Sequence, residues 1–260
     1  MATKPLVLTR EGPAALLRLN QPRASNAITP ALAQELRETC LDLNQKDDLR
    51  VVIITGTGGT FSRGRETFPE AFASIESPAQ ARWLEDRRVA SAVAGLRVPT
   101  IAALNGDTVD QGLELALACD LRLAAKGATL GFTDLAHGLI PWDGGTQRLS
   151  RIIGRARALE LLLTCRLVNA DEAFGMGLVN GVFPSKDLLP KALDLAGRIA
   201  QAGLLALEYT KEAVHKGQDL HLDQGLGLEA DLSFILQSTR DRAEDIRSFI
   251  EKRKPRFREE

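Results

Sequence analysis

Thr100-Ile101-Ala102-Ala103-Leu104 and its continuation, Asn105-Gly106-Asp107-Thr108-Val109-Asp110-Gln111-Gly112-Leu113-Glu114-Leu115-Ala116-Leu117-Ala118, place an apolar run, a glycine-bearing loop and a second apolar run in succession. Pro99 ends any preceding helix, because the residue before a proline is pushed towards extended backbone. The five residues that follow it read as a strand buried on both faces. Leu113 to Ala118 is built of helix formers. A buried strand that passes through a loop into a helix is the repeating unit of an α/β fold.

The alternation extends in both directions. Leu6 to Thr9 and Ala14 to Asn20 are short, largely apolar runs joined by Arg10-Glu11-Gly12-Pro13, a hairpin signal. Thr29-Pro30 offers an N-cap with proline at the first helical position, and Leu32, Leu36, Cys40 and Leu43 recur at helical spacing. Val51 to Thr55 is a mostly β-branched run closed by Gly56, again a strand buried on both faces. Pro78 to Leu96 predicts a helix, Leu121 to Ala124 and Thr129 to Phe132 predict short strands, and Gly144 to Ile153 predicts a helix. Beyond Gly154 the segments Arg155–Thr164, Asp171–Gly175, Leu188–Ala202, Ala206–Lys216, Leu222–Gln237 and Arg240–Lys254 all favour helix. With no repeat and no linker, we expect one continuous domain: a core over residues 1–200 and a helical region over 201–260.

Composition narrows the function. The chain has 260 residues, 44% of them hydrophobic, which is enough to bury a substantial core and excludes intrinsic disorder. Lys and Arg number 33 against 34 Asp and Glu, a formal charge of −1, so no net field recruits nucleic acid or an anionic membrane. Cys40, Cys119 and Cys165 are odd in number and form no CxxC, against a disulfide framework or a zinc site and in favour of a reducing compartment. No run approaches the roughly 20 apolar residues of a membrane span, and the N-terminus carries no targeting signature, so the expected location is the cytoplasm.

Three glycine-containing loops follow predicted strands, at Thr60–Glu66, Asn105–Glu114 and Gly138–Thr146. Ligands of α/β proteins sit on such loops. None has the spacing of a P-loop or a GxGxxG fingerprint, and no GxSxG elbow is present, which removes weight from nucleotide and serine-hydrolase chemistry. Glu114 by itself complements a helix N-terminus, but its neighbours Leu113, Leu115, Ala116, Leu117 and Ala118 desolvate it and push it towards general acid/base use. Asp134 ends a short strand with His137 near it. Asp143, in Pro-Trp-Asp-Gly-Gly-Thr, taken alone is a turn or capping residue. Three carboxylates on adjacent loops suggest a pocket. His215 and His221 fall on C-terminal helices and read as surface residues.

Together these segments resemble the crotonase family, the enoyl-CoA hydratase/isomerase superfamily, along nearly the whole chain. The likeness is carried by Asn20-Gln21-Pro22-Arg23-Ala24-Ser25-Asn26-Ala27, by Phe61-Ser62-Arg63-Gly64-Arg65-Glu66, and by Ala103-Leu104-Asn105-Gly106 with Leu113-Glu114-Leu115-Ala116 and Cys119-Asp120. Pro141 to Leu149, Ala170 to Val179 and Phe249 to Pro255 continue it.

The resemblance implies a spiral of ββα units, C-terminal helices that assemble trimers or hexamers, and an acyl-CoA thioester as substrate, with no cofactor apart from the coenzyme A it carries. It implies an oxyanion hole from the backbone N–H groups of Arg65 and Gln111, and a hydratase pair at Glu114 and Asp134 that holds water against the β-carbon. Coenzyme A is expected against Ala24, Ser25, Asn26 and Ala27, with Arg63 and Lys252 as basic contacts, and the acyl chain along Glu66 to Trp83. Three positions depart from the pattern. Asp134 stands for a glutamate and is shorter by about 1.5 Å. Arg65 and Gln111 stand where small residues are usual, so we expect a narrower, more polar mouth, with Arg65 available to a polar acyl group. Asp143 adds an acid that relatives use in isomerisation or as a nucleophile. Hydration of an enoyl- or dienoyl-CoA leads. Isomerisation through Asp134 and Asp143, attack by Asp143, and a silent CoA- or RNA-binding scaffold using the basic tail Arg247 to Arg258 stand as alternatives.

Overall fold

The computed structural model describes residues 4–65, 82 and 84–253. β1 (Leu6–Glu11) and β2 (Ala14–Leu19) form the antiparallel hairpin, turning at Gly12, whose φ is 62°. A 3-10 turn, Pro22–Ala24, leads to α1 (Pro30–Leu43). As expected, Thr29 caps α1: its side-chain oxygen accepts from the Leu32 N–H at 3.1 Å.

The chain then coils. β3 (Val51–Gly56) passes into β4 (Thr60–Ser62). β5 (Thr100–Leu104) passes into β6 (Asp107–Val109), and β7 (Leu121–Ala125) into β8 (Thr129–Gly131). The first strand of each pair joins a six-stranded sheet of order β1-β2-β3-β5-β7-β10, parallel from β2 onward, which β10 (Gly181–Phe183) completes. The second strand joins a four-stranded sheet, β4-β6-β8-β9, in which β9 (Val168–Asn169) runs antiparallel to β8. Helices α2 (Ala90–Ala94) and α3 (Gln111–Leu117) fill the turns of this ββα spiral.

The unbroken apolar runs reflect two cores, one on each face of the large sheet. Val52, Ile54, Ala102 and Leu104 pack with Leu32, Leu36 and Phe61. Val51, Ile53, Ile101 and Ala103 pack against Leu188, Ala192 and Ala196 of α7 (Ser185–Ile199). Between lie a 3-10 turn at Asp134–His137, α4 (Gly145–Ile153), α5 (Arg155–Thr164) and α6 (Ala170–Gly175).

The last three helices are α8 (Leu204–Gly217), α9 (Leu222–Gln237) and α10 (Arg240–Ile250). Polar contacts dock α8 on the spiral. Lys211 donates to the Val98 carbonyl at 3.0 Å and pairs with Asp120 at 2.8 Å, and Glu208 pairs with Arg97 at 3.2 Å.

Two expectations are corrected. The helix expected over Pro78 to Leu96 does not run through: the chain turns at Asp86 and Arg87 and helix restarts at Ala90, while residues 66–81 and 83 lie outside the described set. The loops at Thr60 and Asp107 contain the three-residue strands β4 and β6, too short to show a period-2 pattern.

Candidate active site

Backbone packing brings the first two glycine loops together. A Cβ on Gly112 would stand 2.2 Å from the Ser62 carbonyl oxygen, so only glycine lets α3 approach β4 this closely. Gly64, at φ +82°, lies so near α3 that a Cβ there would stand 3.0 Å from the Gln111 nitrogen. The Arg65 peptide and the Gln111 peptide therefore border one space. Among the described residues, no acceptor takes the Gln111 N–H. The Gln111 side chain does not narrow the mouth as expected. It is fully buried and turned aside, its Nε2 donating to the Arg87 carbonyl at 2.6 Å and to Asp143 at 3.2 Å.

Glu114 sits in the first turn of α3 with no exposed surface. Its Oε1 accepts from the N–H groups of Asp143 and Gly145, each at 2.8 Å, while Oε2 is buried without a partner. Burial pushes its carboxyl up to about 7. Asp143 and Asp134 add to the rise, and the Gly145 and Asp143 N–H groups oppose it.

Asp134 opens the 3-10 turn after β8 and is 1% exposed. Arg65 Nη1 lies 2.5 Å from its Oδ1, and its Oδ2 has no partner. Burial raises its carboxyl above the ordinary range, Asp110 adds to this, and Arg65 and then His137 pull it back. The guanidinium expected to wait for a polar acyl group thus rests on the second carboxylate.

Asp143 is tied into the backbone. Its Oδ2 accepts from the N–H groups of Val89 at 2.9 Å and Ala90 at 3.1 Å, as well as from Gln111. It caps α2 from another loop, which is why that helix starts where it does. Its own N–H anchors Glu114.

Ala24 to Ala27 form a tight turn with Ser25 and Asn26 both at φ 51°. The Asn26 side chain is spent inside it, accepting from the Gln21 N–H and donating to the Thr57 and Thr60 carbonyls. The Arg63 N–H donates to the Ser25 carbonyl at 3.0 Å, and its guanidinium pairs with Asp107 at 2.7 Å. The structure thus joins the 24–27 turn to the Arg65 loop. Lys252 is exposed beyond α10 and makes no hydrogen bond or ion pair with that turn. Residues Glu66 to Ala81 and Trp83, expected to line the acyl chain, lie outside the described set, as do those of the basic tail beyond Arg253.

Sequence reasoning gave Asp110 no role. It has φ 51° and ψ −126°, a region that glycine favours. Its carboxylate accepts from the Thr133 N–H at 2.5 Å and the Thr133 hydroxyl at 2.8 Å, clasping the residue before Asp134. A carboxylate meeting a threonine on a different loop leaves no local pattern to read.

Among the described residues, no group of three or more His, Cys, Asp or Glu could hold a metal ion, and no helix is long and apolar enough to cross a membrane. The family model described as Enoyl-CoA hydratase/isomerase matches residues 9–260. The chain is 36% identical over 260 residues to a crotonyl-CoA hydratase of Syntrophomonas wolfei, covering 99% of each chain. It is 35% identical over 255 residues to the 2,3-dehydroadipyl-CoA hydratase of Escherichia coli, covering 97% of this chain and 98% of the relative. The crystal structure of an enoyl-CoA hydratase from Bacillus anthracis superposes with a TM-score of 0.93 at 36% identity, over 98% of this chain and 100% of that one.

Proposed function

Because the chain belongs to the enoyl-CoA hydratase/isomerase family, we propose that it adds water across the 2,3 double bond of an enoyl-CoA thioester. One observation carries this reading: Glu114 and Asp134 are two buried acids, Glu114 Oε1 held by two N–H groups and Asp134 Oδ1 by the Arg65 ion pair, while Glu114 Oε2 and Asp134 Oδ2 have neither. The open oxygens suit a water molecule held between them.

In this reading the thioester oxygen is received by the backbone N–H groups of Arg65 and Gln111, which stabilise the developing enolate by a few kcal/mol. Asp134, beside a guanidinium, takes a proton from water as the water oxygen bonds to the β-carbon. The π electrons move to the thioester oxygen. Glu114 then gives its proton to the α-carbon, and proton exchange between the two carboxyls restores the starting state. With Glu114 at about 7, both forms are available near neutrality. Nothing in these steps calls on a cofactor, since coenzyme A arrives with the substrate.

Isomerisation or nucleophilic attack through Asp143 loses support, because its Oδ2 already accepts three hydrogen bonds. A silent scaffold loses support because the side chains of Gln111 and Arg65 are engaged elsewhere, on Arg87 and Asp134. Coenzyme A fits best along the Ala24–Ala27 turn with Arg63, and Lys252 remains our candidate for its phosphates. Exposed Val214, Leu222, Leu226, Phe234 and Ile250 on α8–α10 support assembly into trimers or hexamers. Three free cysteines, two of them buried, fit a reducing cytoplasm.

The test is to incubate the protein with saturated, enoyl- and dienoyl-CoA thioesters in deuterium oxide and follow products by mass spectrometry. Gain of one water is expected with an enoyl-CoA. Deuterium uptake without water would replace hydration by isomerisation.

A further inference from the structure

We propose that Arg65 is a positioning residue for water addition, its guanidinium holding the short Asp134 carboxylate ionised and turned so that its second oxygen meets the water. The proposal rests on the hydration reading above and assigns the Arg65 side chain a task separate from that of its peptide N–H.

The geometry makes the need plain. Asp134 is 1% exposed, and among the described residues no backbone N–H donates to its side chain. A carboxylate in that setting takes up a proton unless a charge is supplied. Arg65 supplies it at 2.5 Å, from a side chain itself only 10% exposed. The charged groups around Asp134 are Arg65 and His137, which favour its ionised form, and Asp110 and Glu114, which oppose it. Arg65 is the ion-pair partner that opposes burial and the two neighbouring acids.

Orientation follows from the same contact. The backbone before Asp134 is fixed by the clasp of Asp110 on Thr133. The side chain is fixed by Arg65 gripping Oδ1, which leaves the buried Oδ2, without a hydrogen-bond partner, for the water. Aspartate reaches about 1.5 Å less far than glutamate, so loss of this grip misplaces a base that already has little reach. Substitution at residue 65 leaves the peptide N–H in place, so the hole survives and the side chain is tested by itself.

The experiment measures kcat and KM for crotonyl-CoA against pH in the wild type, R65M and R65K, with R65Q as a second neutral variant should R65M fail to fold. The titration of the Asp134 carboxyl is followed in parallel by carbon-13 NMR of the ligand-free protein. In R65M we expect kcat to fall about 100-fold, KM to change less than about threefold, and the acid limb of the rate profile to rise by about one pH unit or more. R65K should return the limb towards its wild-type position. An Asp134 titration that is the same in wild type and neutral variant overturns the proposal, as does a rise in KM with kcat intact. If the wild type adds no water to any enoyl-CoA while Asp134 still titrates higher in R65M, the hydration reading falls and the ion-pair assignment stands.

Discussion

Glu114 and Asp120 stand at the two ends of α3, one inside its first turn and one just past its end, and the fold treats them in opposite ways. Around Asp120 every oxygen is answered. Oδ2 accepts from the Thr100 N–H at 2.7 Å and hydroxyl at 2.8 Å and pairs with Lys211, while Oδ1 meets His215 Nε2 at 2.7 Å. Burial opposes its charge, but Lys211 and Thr100 outweigh burial and hold the carboxyl below its ordinary value. Glu114 receives two N–H groups and no cation, lies beside two further acids, and moves the other way. A buried carboxylate whose needs are met is a structural fastener. One whose needs are left partly unmet can exchange protons near neutral pH.

The largest break in that comparison is Glu114→Gln. It keeps an oxygen for the Asp143 and Gly145 N–H groups but cannot exchange a proton. We expect kcat for hydration to fall by about 10²- to 10⁴-fold with the circular dichroism unchanged. Asp120→Asn should do the reverse. Stranding the largely buried Lys211 should lower stability by about 2–4 kcal/mol in urea titrations, with kcat/KM nearly intact.

The pH dependence sharpens the contrast. Glu114 binds its proton more tightly folded than unfolded, so its burden on stability is absent below about pH 4.5 and grows as pH rises through about 7. Glu114→Gln should therefore gain stability over the wild type between pH 5 and 8, by up to roughly 3 kcal/mol. Asp120 has the opposite sign. Its contribution is present above its ordinary pKa and fades as pH falls below it, so the Asp120→Asn penalty should shrink in acid. The smallest effect is expected at His215, which is half-exposed: His215→Ala should cost about 0.5 kcal/mol.

How much of this the chain announces depends on range. Elements set by local chemistry are legible: the Thr29 cap, the boundaries Arg155–Thr164 and Leu222–Gln237, and the doubly buried Val51 run all stand where pattern places them. The strands β4 and β6 of the second sheet are not, because they are defined by neighbours rather than by their own periodicity. The site divides in the same way. Glu114 is legible because its immediate neighbours are apolar. Asp134 stands out as one of three carboxylates on adjacent loops but takes its role only from the family resemblance, and its pairing with Arg65 is visible only in three dimensions. Asp143 reads as a capping residue, but the helix it caps lies on a distant segment, which no local pattern shows. His215, expected on the surface, is half-exposed but also holds Asp120, a contact between residues far apart in sequence.

The docking of α8 by Lys211 and Glu208 has a consequence for motion. Beyond that anchor, among the described residues α9 buries only Leu232 and α10 only the polar Asp241 and Ser248, so little of the apolar core holds these helices in place. In a lone chain their amides should open and exchange with deuterium as a separate unit, well before those of β3, β5 and β7. If copies of the chain cover the exposed Leu222, Leu226 and Phe234, that exchange becomes a function of protein concentration. The fraying end of the molecule would then report its own assembly, amide by amide.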